Sequence, residues 1–332
     1  MSTLPIIGIT IGDPAGIGGE VIIKSLQQKS IHSKCYPIII GDYKYLKFLI
    51  KKFSFPLKIT SISEIKDKKP LSSDVVSVFD IKNLKDSPVK FGVCNADYGR
   101  ASFQYIAKGI ELASSGIINA LVTAPINKES FSKAKVPYTG HTEMLAQLTK
   151  TEKFAMMLVG GSLRVVLVTR HIPLKDVAKE LTEEKVLAAI ELAHDAGKYF
   201  NIPNPKIVVC GLNPHSGEGG TMGKEEIQTI MPAIKKSKEA GINVSGPYAS
   251  DTIFYQALKG KHDFIIAMYH DQGLIPLKTL YFDEGVNVTL GLPFIRTSPD
   301  HGTAYDIAGK GIANSKSMDE AIKLAVKMSR LF

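Results

Sequence analysis

The feature that most constrains this chain is the alternation of short, continuous apolar runs with longer segments of helical period. The runs fall at 5–10, 36–40, 75–79, 120–123, 155–159, 163–168, 206–210, 263–268 and 286–290. Several are unbroken rather than alternating, as expected of strands covered on both faces. Between them, a helix is predicted over 96–115, with Phe103, Ile106, Ala107 and Ile110 on one side. Another starts after Thr182, a capping residue. Glu183 and Glu184 suit its positive end, and Val186, Ala189, Ile190 and Ala193 form one apolar face. This alternation predicts an α/β sandwich. One pair of runs departs from it, because only Gly160-Gly161-Ser162 separates them. That is a hairpin signal, so the sheet is expected to be mixed.

A length of 332 residues suits two domains or one large α/β unit, and no internal repeat or low-complexity linker marks a boundary. Hydrophobic residues at 44% and charged residues at 22% exclude a wholly disordered chain. No apolar run reaches the ~18–20 residues of a membrane span. No basic region precedes the first apolar run, so no signal peptide is expected. Cys35, Cys94 and Cys210 are few and far apart, which argues against a disulfide framework or a thiolate zinc site and for the reducing cytoplasm. The formal charge is +9, but the basic residues are scattered in small groups such as Lys66-Asp-Lys-Lys69. Neither a nucleic-acid nor a membrane partner is expected. The sign of the charge also suits a small anionic substrate. The lysine-rich stretch 51–90 is expected to be peripheral.

Three segments share one design: an apolar strand, then a polar loop carrying a histidine. They end at His171, His215 and His270. Ligands of open α/β sheets bind beyond the carboxyl ends of the strands. Three imidazoles converging there would make an open site for a divalent ion. Spacings of 44 and 55 residues exclude a local motif, so convergence requires the fold or a second subunit. Each histidine taken alone reads more readily as a hydrogen-bonded loop residue, and only the repeated design points to a joint site. His32, His194 and His262 read as surface residues.

Three further clusters stand out. Gly12-Asp-Pro-Ala-Gly-Ile-Gly-Gly-Glu20 follows the first strand and precedes a helix. It reads either as an anion cradle or as a tight, close-packed turn. It lacks the Gly-x-Gly-x-x-Gly dinucleotide fingerprint. Gly140-His-Thr-Glu143 opens an apolar helix, where it reads as a phosphate or carboxylate grip or as an ordinary threonine cap. The stretch 269–306 is dense in polar groups beside glycine and proline. Lys278 and Arg296 there are placed to clamp an anion from two sides, with Asn287 on the strand between them.

Taken in order over nearly the whole chain, these blocks resemble the 4-hydroxythreonine-4-phosphate dehydrogenase family, PdxA. The resemblance rests on Gly12-Asp-Pro-Ala-Gly-Ile-Gly18, Thr123-Ala-Pro-Ile-Asn-Lys128, Gly140-His-Thr-Glu143 and Thr169-Arg-His-Ile-Pro-Leu174. Gly211-Leu-Asn-Pro-His-Ser-Gly-Glu-Gly-Gly220, Met268-Tyr-His-Asp-Gln-Gly273 and the long block from Gly285 to Ala304 complete it. It implies an isocitrate/isopropylmalate-dehydrogenase-like fold with two α/β/α domains, a mixed sheet and a cleft. Approximate domains of 1–130 plus 305–332 and 131–304 are expected, the second carrying most of the metal and substrate residues. It implies a homodimer whose active sites are shared between subunits. The implied reaction is NAD(P)-dependent oxidation and decarboxylation of 4-phosphooxy-L-threonine to 3-amino-2-oxopropyl phosphate and CO2, in pyridoxal phosphate (vitamin B6) biosynthesis.

The resemblance implies His171, His215 and His270 as ligands of one divalent ion (zinc, magnesium or cobalt). It implies His141, Thr142, Lys278, Asn287 and Arg296 as substrate contacts. Lys278, Asp251 and Asp271 are the candidates for moving the hydroxyl proton. The block from Asp300 to Asn314 also resembles the adenine-side loop of isopropylmalate dehydrogenases, which points to His301, Gly302 and Asp306 for the cofactor. A carboxylate at 306 would repel a 2′-phosphate and favour NAD+ over NADP+. The rival within the family is a dehydrogenase of 4-phospho-D-threonate or D-erythronate. A metal-dependent hydrolase or aldolase without a nucleotide would leave the block from Asp300 to Asn314 unexplained.

Overall fold

The structure, a computed structural model, describes residues 4–65, 75–84 and 89–332. The lysine group at 66–69 and the first three residues, which bore on the signal-peptide reading, lie outside the described residues. Among the described residues there are twelve strands. In chain order they are β1 (Ile6–Thr10), β2 (Tyr36–Gly41), β3 (Lys58–Ile62), β4 (Val75–Asp80), β5 (Ala120–Thr123) and β6 (Ala155–Gly160), then β7 (Leu163–Leu167), β8 (Ile207–Cys210), β9 (Val244–Tyr248), β10 (Phe264–Ala267), β11 (Val286–Leu290) and β12 (Ile295–Pro299). No described helix is long and apolar enough to cross a membrane.

Two compact units emerge, Met1–Thr151 with Leu292–Arg330 and Glu152–Gly291 with Leu331–Phe332. In the first unit the strand order is β3-β4-β2-β1-β5-β12, and every neighbouring pair is parallel. In the second the order is β11-β6-β7-β10-β8-β9. There β6 runs antiparallel to both β11 and β7, whereas β7, β10, β8 and β9 are mutually parallel. The mixed sheet therefore belongs to the second unit, and its antiparallel turn is the hairpin expected at Gly160-Gly161-Ser162.

The unbroken apolar runs earned their reading: every residue of β1, β5, β8 and β10 is buried. Asn95 caps the helix Ala96–Ser114 by accepting from the Asp97 N–H at 2.7 Å. Thr182 caps Glu183–Ala196 by accepting from Lys185 N–H at 3.3 Å. Three strands escaped the sequence pattern. β3 is an edge strand with polar, partly exposed positions. β9 contains Gly246 and Pro247, and β12 reads Ile-Arg-Thr-Ser-Pro although all five residues are buried.

The unit boundaries differ from the expected ones. Phe131, Met144, Leu145, Leu292 and Phe294 pack with Ile6, Ile106, Ile110 and Leu121 in one core, so 131–151 and 292–304 belong to the first unit. His141, Thr142 and Arg296 move with them. The second unit's core is built on Leu158, Val165, Val208, Ile265, Leu274 and Leu277.

Candidate active site

In the second unit, β10 lies between β7 and β8, all three parallel. His171, His215 and His270 follow the carboxyl ends of these three adjacent strands. Hydrogen bonds tie the strand ends together. Thr169 donates to the Met268 carbonyl through its hydroxyl (2.7 Å) and its N–H (3.1 Å). Gln272 accepts from the Met268 N–H (2.6 Å) and donates to the Gly211 carbonyl (2.8 Å), joining the β10 and β8 ends. The His171 and His270 rings lie 5.5 Å apart between centroids. His270 opens the helix His270–Tyr281, and its Nδ1 meets Asp271 Oδ1 at 2.7 Å. That contact fixes the ring and leaves Nε2 as the nitrogen for an ion. The donor set, three imidazoles with one carboxylate partner, fits a divalent cation. Among the described residues, however, no three His, Cys, Asp or Glu side chains gather closely enough to hold one unaided.

The His215 loop is the most distorted backbone here. His215, Ser216, Gly217, Glu218 and Gly219 all have positive φ, between +42° and +76°. Left-handed residues other than glycine cost roughly 1–2 kcal/mol each, and such strain collects at functional sites.

Of the proton-transfer candidates, Asp271 is occupied with His270. Asp251 is exposed in the first turn of the helix Ser250–Leu258. Lys278 stands two turns after His270 on the same helix. Asn287 lies on β11, donating from Nδ2 to Met156 Sδ at 3.2 Å. Its buried Oδ1 has no hydrogen-bond partner, so the amide is poised for a ligand.

The first unit gathers a separate group. Arg296 on β12 is 2% exposed. It donates to Thr123 Oγ1 from Nε (3.2 Å) and Nη2 (2.7 Å). Burial pulls it down to about 9, against the attraction of Glu143, so it stays charged at neutral pH. A desolvated guanidinium beside the N-terminus of the helix His141–Leu148 suits an anionic ligand. His141 and Thr142 open that helix. The His141 Nε2 is buried with no hydrogen-bond partner. Burial, with Arg296 adding to it, holds His141 well below the usual 6.5, so it is a neutral hydrogen-bonding group and not a third cation. The unfolded chain then binds a proton that the fold refuses. Stability from this source is present above about pH 6.5 and drains away as the pH falls further. His141→Gln is expected to flatten the fall in Tm between about pH 7 and pH 5; an unchanged slope would show that His141 titrates normally.

The glycine-rich turn is a close-packed mount. Residues 12–20 are all buried. Asp13 accepts from the Ala15 N–H (2.8 Å) and the Tyr305 hydroxyl (2.9 Å). Ile17 N–H donates to the Thr303 carbonyl (3.0 Å). Glu20 accepts from Ala313 N–H (2.8 Å) and Gly311 N–H (3.2 Å), and Lys24 donates to the carbonyls of the same two residues. The turn therefore holds the 303–313 segment. His301, Gly302 and Asp306 lie on or beside this segment, with Gly302 and Asp306 exposed.

The sequence matches the profile of the family described as "Pyridoxal phosphate biosynthetic protein PdxA" over residues 33–325. The chain belongs to the PdxA family. A PdxA relative from Oceanobacillus iheyensis, provisionally named D-threonate 4-phosphate dehydrogenase, is 45% identical over 99% of both chains. A solved 4-hydroxythreonine-4-phosphate dehydrogenase from Klebsiella pneumoniae is 38% identical over 99% of both chains, with a TM-score of 0.91. Another so named, from Burkholderia phymatum, is 43% identical over 98% of this chain and 99% of its own, with a TM-score of 0.87. As a PdxA-family protein the chain is a dehydrogenase acting on a hydroxyl group. One residue that organises the loop before His215 was not singled out from sequence, Glu226. It shows no local periodic signal, and only its hydrogen bonds reveal it.

Proposed function

We propose that this chain uses NAD+ to oxidise the C3 hydroxyl of a four-carbon acid phosphorylated at O4, with loss of C1 as CO2, and that the acid is D-threonate 4-phosphate. Two observations carry the reaction class, each within its own unit: a desolvated Arg296 beside His141, and three histidines on adjacent strand tips. The first suits a phosphate or carboxylate, the second a cation that meets a hydroxyl. The full-length relatives at 42–45% identity support the substrate by their provisional names. The names of the solved relatives support a second reading, 4-phosphooxy-L-threonine on the route to pyridoxal phosphate.

When bound, a divalent ion held by His171, His215 and His270 would supply polarisation of the C3 oxygen, and NAD+ a hydride acceptor. Zinc or cobalt suits three imidazoles better than magnesium. The chain's own groups do the rest. Arg296 and Lys278 bind the anionic ends of the substrate and fix C3 in place. His141, Thr142 and Asn287 satisfy its remaining polar atoms. The hydroxyl proton passes to Asp251, since Asp271 is committed to His270 and Lys278, as an ammonium holding an anionic end, has no lone pair to take it. Oxidation at C3 leaves a β-keto acid, whose C1–C2 bond breaks with the electrons drawn into the ketone, and the enolate left behind takes a proton from water at C2. The D-threonate product is dihydroxyacetone phosphate; the L-threonine analogue gives 3-amino-2-oxopropyl phosphate.

His301, Gly302 and Asp306 hold the nucleotide, and the Asp306 carboxylate selects NAD+ over NADP+. The active form is a cytoplasmic homodimer with shared sites. Exposed apolar side chains in the second unit support the dimer: Leu174 (72%), Ile275 (64%) and Phe282 (75%). The deciding experiment follows NADH formation with each phosphorylated acid, with NADP+ in parallel, before and after EDTA treatment. Chelator-sensitive turnover at least tenfold faster with D-threonate 4-phosphate is expected. A preference for 4-phosphooxy-L-threonine would establish the second reading, and inactivity on both would overturn the reaction.

A further inference from the structure

The proposed mechanism leaves Glu226 without a task, yet it is a carboxylate only 2% exposed. It stands at the start of a single π-helical turn, Glu226–Ile230, a local irregularity often found at functional sites. Its hydrogen-bond partners lie in the loop after β8. Oε1 accepts from the N–H groups of Leu212 (2.8 Å) and Asn213 (2.7 Å), and Oε2 from the Asn213 side-chain amide (3.0 Å). The same amide reaches Glu225 Oε2 at 2.7 Å.

Glycines clear the space for this carboxylate. A Cβ at Gly217, where φ is +76°, would lie 2.6 Å from Glu226 Oε2, and one at Gly211 would lie 3.1 Å from Oε1. A Cβ at Gly223 would lie 2.3 Å from the Asn213 amide nitrogen and 2.6 Å from Glu225 Oε2. The loop is thus closed around Glu226. Asn213, which donates two of the three hydrogen bonds to Glu226, is two positions before His215. His215 begins the left-handed run that needs outside support to persist.

We propose that Glu226 is a positioning residue: through Asn213 it holds the strained loop so that the His215 imidazole is presented to the divalent cation. This rests on the reading of His215 as a ligand. Glu226→Gln keeps the shape but sets an amide N–H2 against the donors of residues 212 and 213. Titrating the metal-free, full-length protein with Co2+ by calorimetry, the variant is expected to bind about 10–100-fold more weakly. The amides of Leu212 and Asn213 should exchange faster with deuterium, and kcat should fall while KM for the phosphorylated acid stays near the wild-type value. Glu226→Asp should recover part of the Co2+ affinity. If Glu226→Gln does not fold, Asn213→Ala tests the same link.

Faster exchange at Leu212 and Asn213 with unchanged Co2+ affinity would overturn the proposal, leaving Glu226 a loop brace alone. His215→Ala separates the two levels. If that variant binds Co2+ as tightly as wild type, the ligand assignment itself fails. If it loses Co2+ while Glu226→Gln does not, only the positioning role fails.

Discussion

His270→Ala is expected to lower kcat by about a thousandfold or more and to remove the divalent ion on dialysis, while Asp271→Asn lowers kcat about 10–100-fold and weakens the ion without abolishing it. The difference follows from geometry. In the proposed site the ring supplies the ligand nitrogen, whereas Asp271 orients it through the 2.7 Å contact to Nδ1 and is otherwise exposed. Metal content by mass spectrometry, read beside kcat, checks both. A metal-free His270→Ala enzyme within tenfold of wild type would end the metal assignment. Equal losses in the two variants would instead make Asp271 a direct participant, either as a ligand or as the proton acceptor.

Arg296→Met is expected to reduce kcat/KM by about a thousandfold, mostly through KM. The substitution keeps an apolar stem on β12 and removes the one fork that the fold has already stripped of water. A substrate dianion is the partner that best compensates that desolvation, so its loss falls on binding. Inorganic phosphate gives an independent readout. It should raise the Tm of the wild-type protein in a concentration-dependent way and leave the variant unmoved. Equal stabilisation of both proteins by phosphate would place the anion elsewhere.

Much of this was legible because burial on two faces writes itself into sequence. The runs at 120–123 and 286–290 coincide with β5 and β11, and the hairpin at Gly160-Gly161-Ser162 announced itself by turn chemistry. The strand–loop–histidine design located all three histidines at strand ends, since a strand's end is a local event. β12 stayed hidden because its Arg, Thr, Ser and Pro are satisfied by partners distant in sequence: Arg296 by Thr123, Thr297 by the Ala321 carbonyl. The unit boundary was misplaced for the same reason, as nothing near Phe131 or Met144 declares which core they join. The glycine-rich turn shows the limit most sharply. Its composition suits an anion cradle and a close-packed mount equally, and only the bonds from Asp13, Ile17 and Glu20 to residues 303–313 decide between them.

Apart from Leu331–Phe332, the second unit is a single stretch of chain, Glu152–Gly291, that falls between β5 and β12 in the sequence. On the ribosome this imposes an order. β5 emerges early, pairs with β1, and then waits with its other edge bare until the whole insert has been made. All four of its residues are apolar or small and destined for burial, which makes that edge an open template for wrong pairing. The insert, being continuous, can fold during the wait. The closing strand β12 and the helix Lys316–Ser329 that covers it arrive last. Arg296 travels on that strand, so the anion site proposed for it is completed only when synthesis is almost finished, and a chain released early carries the histidines without it.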